Sequence, residues 1–171
     1  MQDLLENLSI SEKIKSKTIL IAEGDQAKEL FYIQKGCIRA WFNDSGKETT
    51  LQFFFEGDTV TAFESFMGDK ASVIYIETIE NCEIQRISKS DFQKLVQTNE
   101  RFKDWFYQTA ISKLTVHSNR LLSLLKNKPY ERYQELLTQN PEIIARIPQH
   151  YIASYLGITP VSLSRIRNRK S

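Results

Sequence analysis

Apolar and polar positions change their spacing twice along this chain. From about residue 18 to residue 87 they come in short runs rich in β-branched and aromatic side chains, separated by Gly, Asn, Asp and Ser. That pattern predicts short strands joined by turns. FYIQKGCIRAWF alternates around Gly36, and Asn43-Asp44-Ser45-Gly46 supplies a tight turn before TTLQFFF returns, which predicts a β-hairpin. The tripeptide Glu-Gly-Asp occurs at residues 23–25 and again at 56–58, each time between apolar segments, and suggests two similar halves wound into a roll.

After Ser88 the period lengthens. SKSDFQKLVQTNERF opens with a capping signal, and no Pro or Gly interrupts the chain until Pro129, so a long helix is predicted over roughly residues 100–126. Within it Tyr107, Ala110, Leu114, His117, Leu121 and Leu124 recur at alternating spacings of three and four, a seam for a parallel helix of a second copy. A second stripe, Phe102, Trp105, Phe106, Thr109 and Val116, would lie against the β half. One wide face buried within a single monomer is the alternative. His117 reads as a packed polar core residue, with a pH-sensitive interface as the other possibility. Pro129 ends the long helix, and YERYQELLTQN forms a shorter one before Pro141.

Residues 147–171, IPQHYIASYLGITPVSLSRIRNRKS, then have the spacing of a helix-turn-helix. Ile152 and Leu156 face inward, and Ala153 lets a second helix cross closely. Gly157 makes the turn, Thr159 caps the second helix and Pro160 suits its first position. With Leu163 and Ile166 turned to the core, Val161, Ser164, Arg165 and Asn168 share the opposite face, flanked by Arg167, Arg169 and Lys170. An ordinary helical hairpin would give the same turn but needs no concentration of charge. Here five basic residues (Arg146, Arg165, Arg167, Arg169, Lys170) and no acid follow Ile143, leaving −3 on residues 1–142 of a chain whose net charge is +2. A basic tip on an acidic body is an electrostatic footprint for phosphate, with binding that must weaken in salt.

With 171 residues and 41% apolar content the chain can build a real core. No apolar run approaches a membrane span, and Met1-Gln2-Asp3 lacks the opening of a signal peptide, so a cytoplasmic protein is expected. Cys37 and Cys82 read as buried, reduced thiols. Two cysteines alone do not make a four-thiolate cluster or a structural zinc site, so no metal or cofactor is expected. The β half holds no histidine, and no nucleophile with a base or glycine-rich phosphate loop is evident, which argues against an enzyme.

In this order the parts resemble the Crp/Fnr family, that of the cyclic-AMP receptor protein and the fumarate and nitrate reduction regulator. The similar pieces are residues 31–36 (FYIQKG), Glu56-Gly57-Asp58, Cys82-Glu83-Ile84, and Ile152-Ala153 through Arg165. The resemblance implies an α+β chain in three parts: an antiparallel β-roll sensor of the cyclic-nucleotide-binding kind (residues 1–98), a dimerising helix and hinge (99–128), and a helix-turn-helix domain (129–171) without a C-terminal wing. It implies a homodimer on double-stranded DNA that acts on transcription with RNA polymerase. Thr159, Val161, Ser162, Ser164, Arg165, Arg167, Asn168 and Arg169 would meet the DNA.

Departures from the family pattern are informative. Cyclic-nucleotide binders of the family grip the ribose and cyclic phosphate with a Gly-Glu and an Arg-Ser pair; Thr61-Ala62 and Ser72-Val73 fall at those places here. Without a guanidinium fork a buried phosphate loses its charge-assisted partner. Glu64 would repel an anion and Lys70 cannot copy the fork, so cyclic AMP and cyclic GMP are not expected to bind in the family manner. Phe63, Glu64, Ser65, Phe66 and Ser72 either line a pocket for a less anionic effector or fill the roll. In the reading helix Val161, Ser164 and Arg165 fall where family members carry Glu, Ser and Arg. Arg165 can take guanine O6 and N7 together, and Val161 can pack on a thymine methyl. A twofold dimer would want an inverted repeat, with an effector biasing the hinge at residues 127–130. The rival reading is a sensing or scaffold dimer that does not touch DNA.

Overall fold

The computed structural model describes residues 10–168. Within them eight strands come first: β1 (Ile10–Ile14), β2 (Ile19–Ile21), β3 (Glu29–Lys35), β4 (Ile38–Asp44), β5 (Lys47–Phe54), β6 (Thr59–Val60), β7 (Tyr75–Thr78) and β8 (Cys82–Ser88). They pair antiparallel into two four-stranded sheets, ordered β1-β8-β3-β6 and β2-β7-β4-β5. The strand region opens earlier than residue 18. β1 pairs with β8, Ile14 opposite Cys82, and its charged centre Ser11-Glu12-Lys13 hides the alternation. A short helix, α1 (Phe63–Gly68), interrupts the strands where the composition reads as strand.

The expected hairpin is β4–β5, with Asp44 opposite Lys47 and Ile38 opposite Phe54. Its turn is closed by Asn43 Oδ1, which accepts the Gly46 amide at 2.9 Å. Both Glu-Gly-Asp tripeptides make one and the same turn. Asp25 and Asp58 each accept an amide three residues back, from Ala22 at 3.1 Å and Phe55 at 3.0 Å. Gly24 and Gly57 supply the positive φ within it, +90° and +87°.

Ser88 caps α2 (Lys89–Thr98) by accepting the Asp91 amide. Asn99 then breaks the chain and caps α3 (Glu100–Lys126) through the Phe102 amide at 2.9 Å. Four more helices complete the described chain: α4 (Pro129–Gln139), α5 (Pro141–Arg146), α6 (Gln149–Tyr155) and α7 (Pro160–Arg167). α5 is too short to show a period in sequence. The main core fills the roll and reaches Phe102 of α3, where Phe66, Phe92 and Phe102 meet edge to face at 5.3 and 5.8 Å. Such pairs add about 0.5–1.5 kcal/mol each beyond burial. A second core joins Tyr133, Leu136, Ile143, Ile152, Ala153, Leu156 and Leu163 of the helical head to Cys37 and Phe53 of the roll.

That shared core is reinforced by polar contacts. β5 is an edge strand, whose outward backbone groups need partners. α6 supplies one: Ser154 Oγ accepts the Thr50 amide and donates to Glu48 O, each at 2.8 Å. One turn earlier the Tyr151 ring lies 3.8 Å from the Arg39 guanidinium. Arg39 is only 1% exposed and is held by Glu48 at 2.5 Å and Glu77 at 2.7 Å. At the end of α5, Arg146 bonds Glu56 at 2.8 Å and Glu80 at 2.7 Å, and also Glu142 of its own helix. Arg146 therefore does not belong to the basic tip: three carboxylates already surround it. Glu56 additionally accepts the Gly36 amide at 2.7 Å. Gly36 is obligatory there, because a Cβ would stand 2.7 Å from Cys82 Sγ at a φ of +99°.

Two arginines finish the junction. Arg120 of α3 donates to Leu51 O and to Thr50 O at 3.2 Å on the roll, and to Tyr155 O at 2.9 Å on the head. Arg132 of α4 donates to Leu156 O at 2.9 Å and to Asn127 O at 2.8 Å. Both meet the C-terminal end of α6, where carbonyls lack helical partners and the helix dipole is negative.

Removing Arg39 leaves Glu77, whose side chain is 12% exposed, without its cation. Urea unfolding of Arg39→Met should show a loss of about 3–5 kcal/mol, with part recovered in Arg39→Met/Glu77→Gln. The Arg146 contacts draw the Glu56 carboxyl down from 4.5 to about 2. A depressed carboxyl contributes stability above its unfolded value and loses it as the pH falls through the folded one. Thermal stability of the wild type should thus drop between pH 4.5 and pH 2, and melts of Arg146→Gln should show a smaller drop over that window.

Candidate functional site

α7 is built as its sequence suggests. Gly157 turns the chain at a φ of +68°. Thr159 Oγ1 accepts the Ser162 amide at 3.2 Å and lies 3.0 Å from Ser162 Oγ, so both hydroxyls are engaged in the cap. Leu163 is fully buried and Ile166 packs on the same core. On the other side Val161 (62% exposed), Ser164, Arg165, Arg167 and Asn168 form one solvent-facing surface. Arg165 and Arg167 sit in the last turn of α7. No ion pair involves either of them among the described residues, unlike Arg146. Arg169 and Lys170 lie outside the described residues.

α3 presents the predicted apolar face to solvent and widens it. Tyr107, Leu114 (67% exposed) and Leu121 are open to solvent, joined by Ile111 and Leu125 (75% exposed), which lie off the predicted seam. Ala110 is half-buried, and Leu124, 38% exposed, stays on the face beside the Gly157 turn. A face straddling the a and d positions wants this broader stripe, which strict three-and-four counting misses. Of the second stripe, Phe102, Trp105 and Phe106 pack against the roll, whereas Val116 is 49% exposed.

Between the roll, α1 and α3 lies a cavity of about 490 Å³, and Phe63, Glu64, Ser65, Phe66 and Ser72 all line it. Its polar side chains are largely spent on the protein itself. Ser65 Oγ accepts the Ala27 amide at 2.9 Å and donates to Lys70 O at 2.5 Å. Ser72 Oγ donates to Ile74 O at 2.7 Å, and Thr61 Oγ1 to Glu29 O at 2.8 Å. Glu64 and Lys70 pair at 3.6 Å in solvent. Lys113, from α3, is bound to Asp58 at 2.5 Å. His117, expected as a packed core residue, is instead exposed and lines the cavity from α3; desolvation, then Arg120 and Lys113, lower its pKa.

Among the described residues no three His, Cys, Asp or Glu side chains gather as a metal site, and no helix is long and apolar enough to cross a membrane. Cys37 and Cys82 are buried free thiols. Burial raises both, Cys82 to about 11.

Known proteins share these features. The cyclic nucleotide-binding domain family matches residues 11–99. The cAMP-activated global transcriptional regulator CRP of Salmonella typhimurium is 32% identical over 88 residues, 51% of this chain and 42% of that protein. The anaerobic regulatory protein of Bacillus subtilis is 28% identical over 131 residues, 70% of this chain and 55% of that protein. The chain spans about half the length of these curated relatives. In fold it is similar to FixK2 from Bradyrhizobium japonicum, with a TM-score of 0.79 at 16% identity over 95% of this chain and 84% of that one. A CooA mutant from Carboxydothermus hydrogenoformans gives a TM-score of 0.77 at 20% identity, over 97% and 77%. With a family match over the roll, the chain belongs to the cyclic nucleotide-binding domain family, and its architecture from roll to helical head is similar to those of FixK2 and CooA.

Proposed function

We propose that this protein is a cytoplasmic, homodimeric transcription regulator that binds an inverted-repeat DNA operator through α7 and senses a small effector in its β-roll. The observation that carries this reading is the exposed surface of Val161, Ser164, Arg165, Arg167 and Asn168, on a helix whose opposite side is locked into a core. A groove-entering helix needs that division. Arg165 would supply direct base readout, Arg167 and Asn168 would meet phosphates, and Val161 would contact a thymine methyl. Thr159 and Ser162 serve first as the cap, whose free end amides can also approach a phosphate. The apolar face of α3 would pair with its copy in a dimer, placing two reading helices on successive turns, and the complex would engage RNA polymerase.

Cyclic AMP and cyclic GMP are disfavoured as effectors. No arginine lines the cavity, and its one lysine is held by Asp58. An effector would act through α3: His117 lines the cavity one turn before Arg120, which holds both β5 and the end of α6. The docking of α6 on β5 favours a second reading, a sensing dimer whose head is purely structural. DNA binding separates the two.

Fluorescence anisotropy on a selected operator should show Arg165→Ala losing about 1–3 kcal/mol of discrimination at one base pair. Arg167→Ala should weaken binding to all sequences and lower the salt slope by about 1. Wild-type protein that binds no duplex even at low salt would select the structural reading. Leu114→Lys/Leu121→Lys should sediment as a monomer where the wild type is a dimer. Calorimetry should detect no binding of cyclic AMP at millimolar concentration.

A further inference from the structure

The cavity beneath α1 has a chemical character of its own. Its walls are aromatic: Phe54, Phe63, Phe66, Phe92 and Phe106 contribute rings, and Phe92 meets Phe106 edge-on at 5.0 Å. The hydroxyls of Thr61, Ser65 and Ser72 are satisfied by backbone groups of the roll, so a ligand phosphate would find none of them waiting. Lys113 is neutralised by Asp58 at 2.5 Å, and the exposed Glu64 carboxylate is paired with Lys70 at 3.6 Å, so neither lysine offers a free cation to an anion. The groups left unspent are neutral. Gln52, Thr59, Thr109 and His117 line the same space, and no hydrogen bond engages their side chains among the described residues.

From this arrangement we infer that the cavity takes an uncharged aromatic molecule bearing a single hydrogen-bonding group, which Gln52 or Thr109 meets. Burial of apolar rings would supply the affinity and one polar contact the orientation, the usual division of labour in small-molecule sites of this volume. An ionised ligand would lose its hydration without charge-assisted compensation. The inference rests on reading the roll as an effector sensor, but it concerns the ligand's chemistry and not DNA.

Benzophenone, neutral, two-ringed and with one carbonyl acceptor, is a suitable probe because it also photolabels its site. Titrated into the full chain it should bind saturably at one molecule per chain, and millimolar cyclic AMP should not displace it. After irradiation, mass spectrometry should find label within residues 51–74 and 106–117. Phe63→Glu places a charge at a position that is 54% exposed and lines the cavity. It should weaken binding at least tenfold without changing the thermal melt. If that variant does not fold, the wild-type label map decides alone. Label confined to the exposed helix surface at residues 121–125, non-saturating uptake, or displacement by cyclic AMP overturns the inference. Loss of labelling with DNA binding intact would refute the ligand assignment alone; intact labelling without DNA binding would refute the regulator reading instead.

Discussion

Arg120 is a half-buried cation with no carboxylate partner among the described residues, and the relation between roll, helix and head depends on it. Its guanidinium donates to Leu51 O and Thr50 O on the edge strand and to Tyr155 O at the end of α6. The Tyr155 ring lies 4.0 Å from it, and desolvation lowers its pKa. A cation so placed is satisfied only when all three elements hold their positions together. Displacing the head from the roll would strip the guanidinium of part of its partners and uncover the second core, where Phe53 and Cys37 of the roll sit among side chains of α4 to α7.

Charge is divided accordingly. Some basic residues of the C-terminal third serve the architecture: Arg132 closes the hinge onto the turn and Arg146 spans Glu56 and Glu80. Arg165 and Arg167 are exposed instead. Arginines that already satisfy backbone carbonyls or acids add little to an outward field, so among the described residues the field of the exposed α7 surface comes from its last turn.

Much of this was legible in the sequence because local rules decide it. The β4–β5 hairpin, the span of α3, the Gly157 turn and the Thr159 cap each depend on a few adjacent residues, and the structure has each of them. β1 escaped because its partner β8 lies some seventy residues away and its own centre is charged. α1 and α5 are single-turn pieces without a readable period. The docking of the head on the roll escaped for a different reason. Ser154, Tyr151, Arg146 and Arg120 look like ordinary surface residues until the fold brings them against β5, Arg39 and Glu56. Net charge alone puts Arg146 in the basic tip; only three-dimensional pairing reassigns it.

Under the proposed function, a head fixed to both roll and spine reads DNA at one spacing. Selection of bound duplexes from a randomised pool by the full chain tests this most directly. Enrichment of an inverted repeat, with half-sites one helical turn (~34 Å) apart at a single spacing, is expected. Enrichment of isolated half-sites at variable separation, or of no sequence at all, would contradict it.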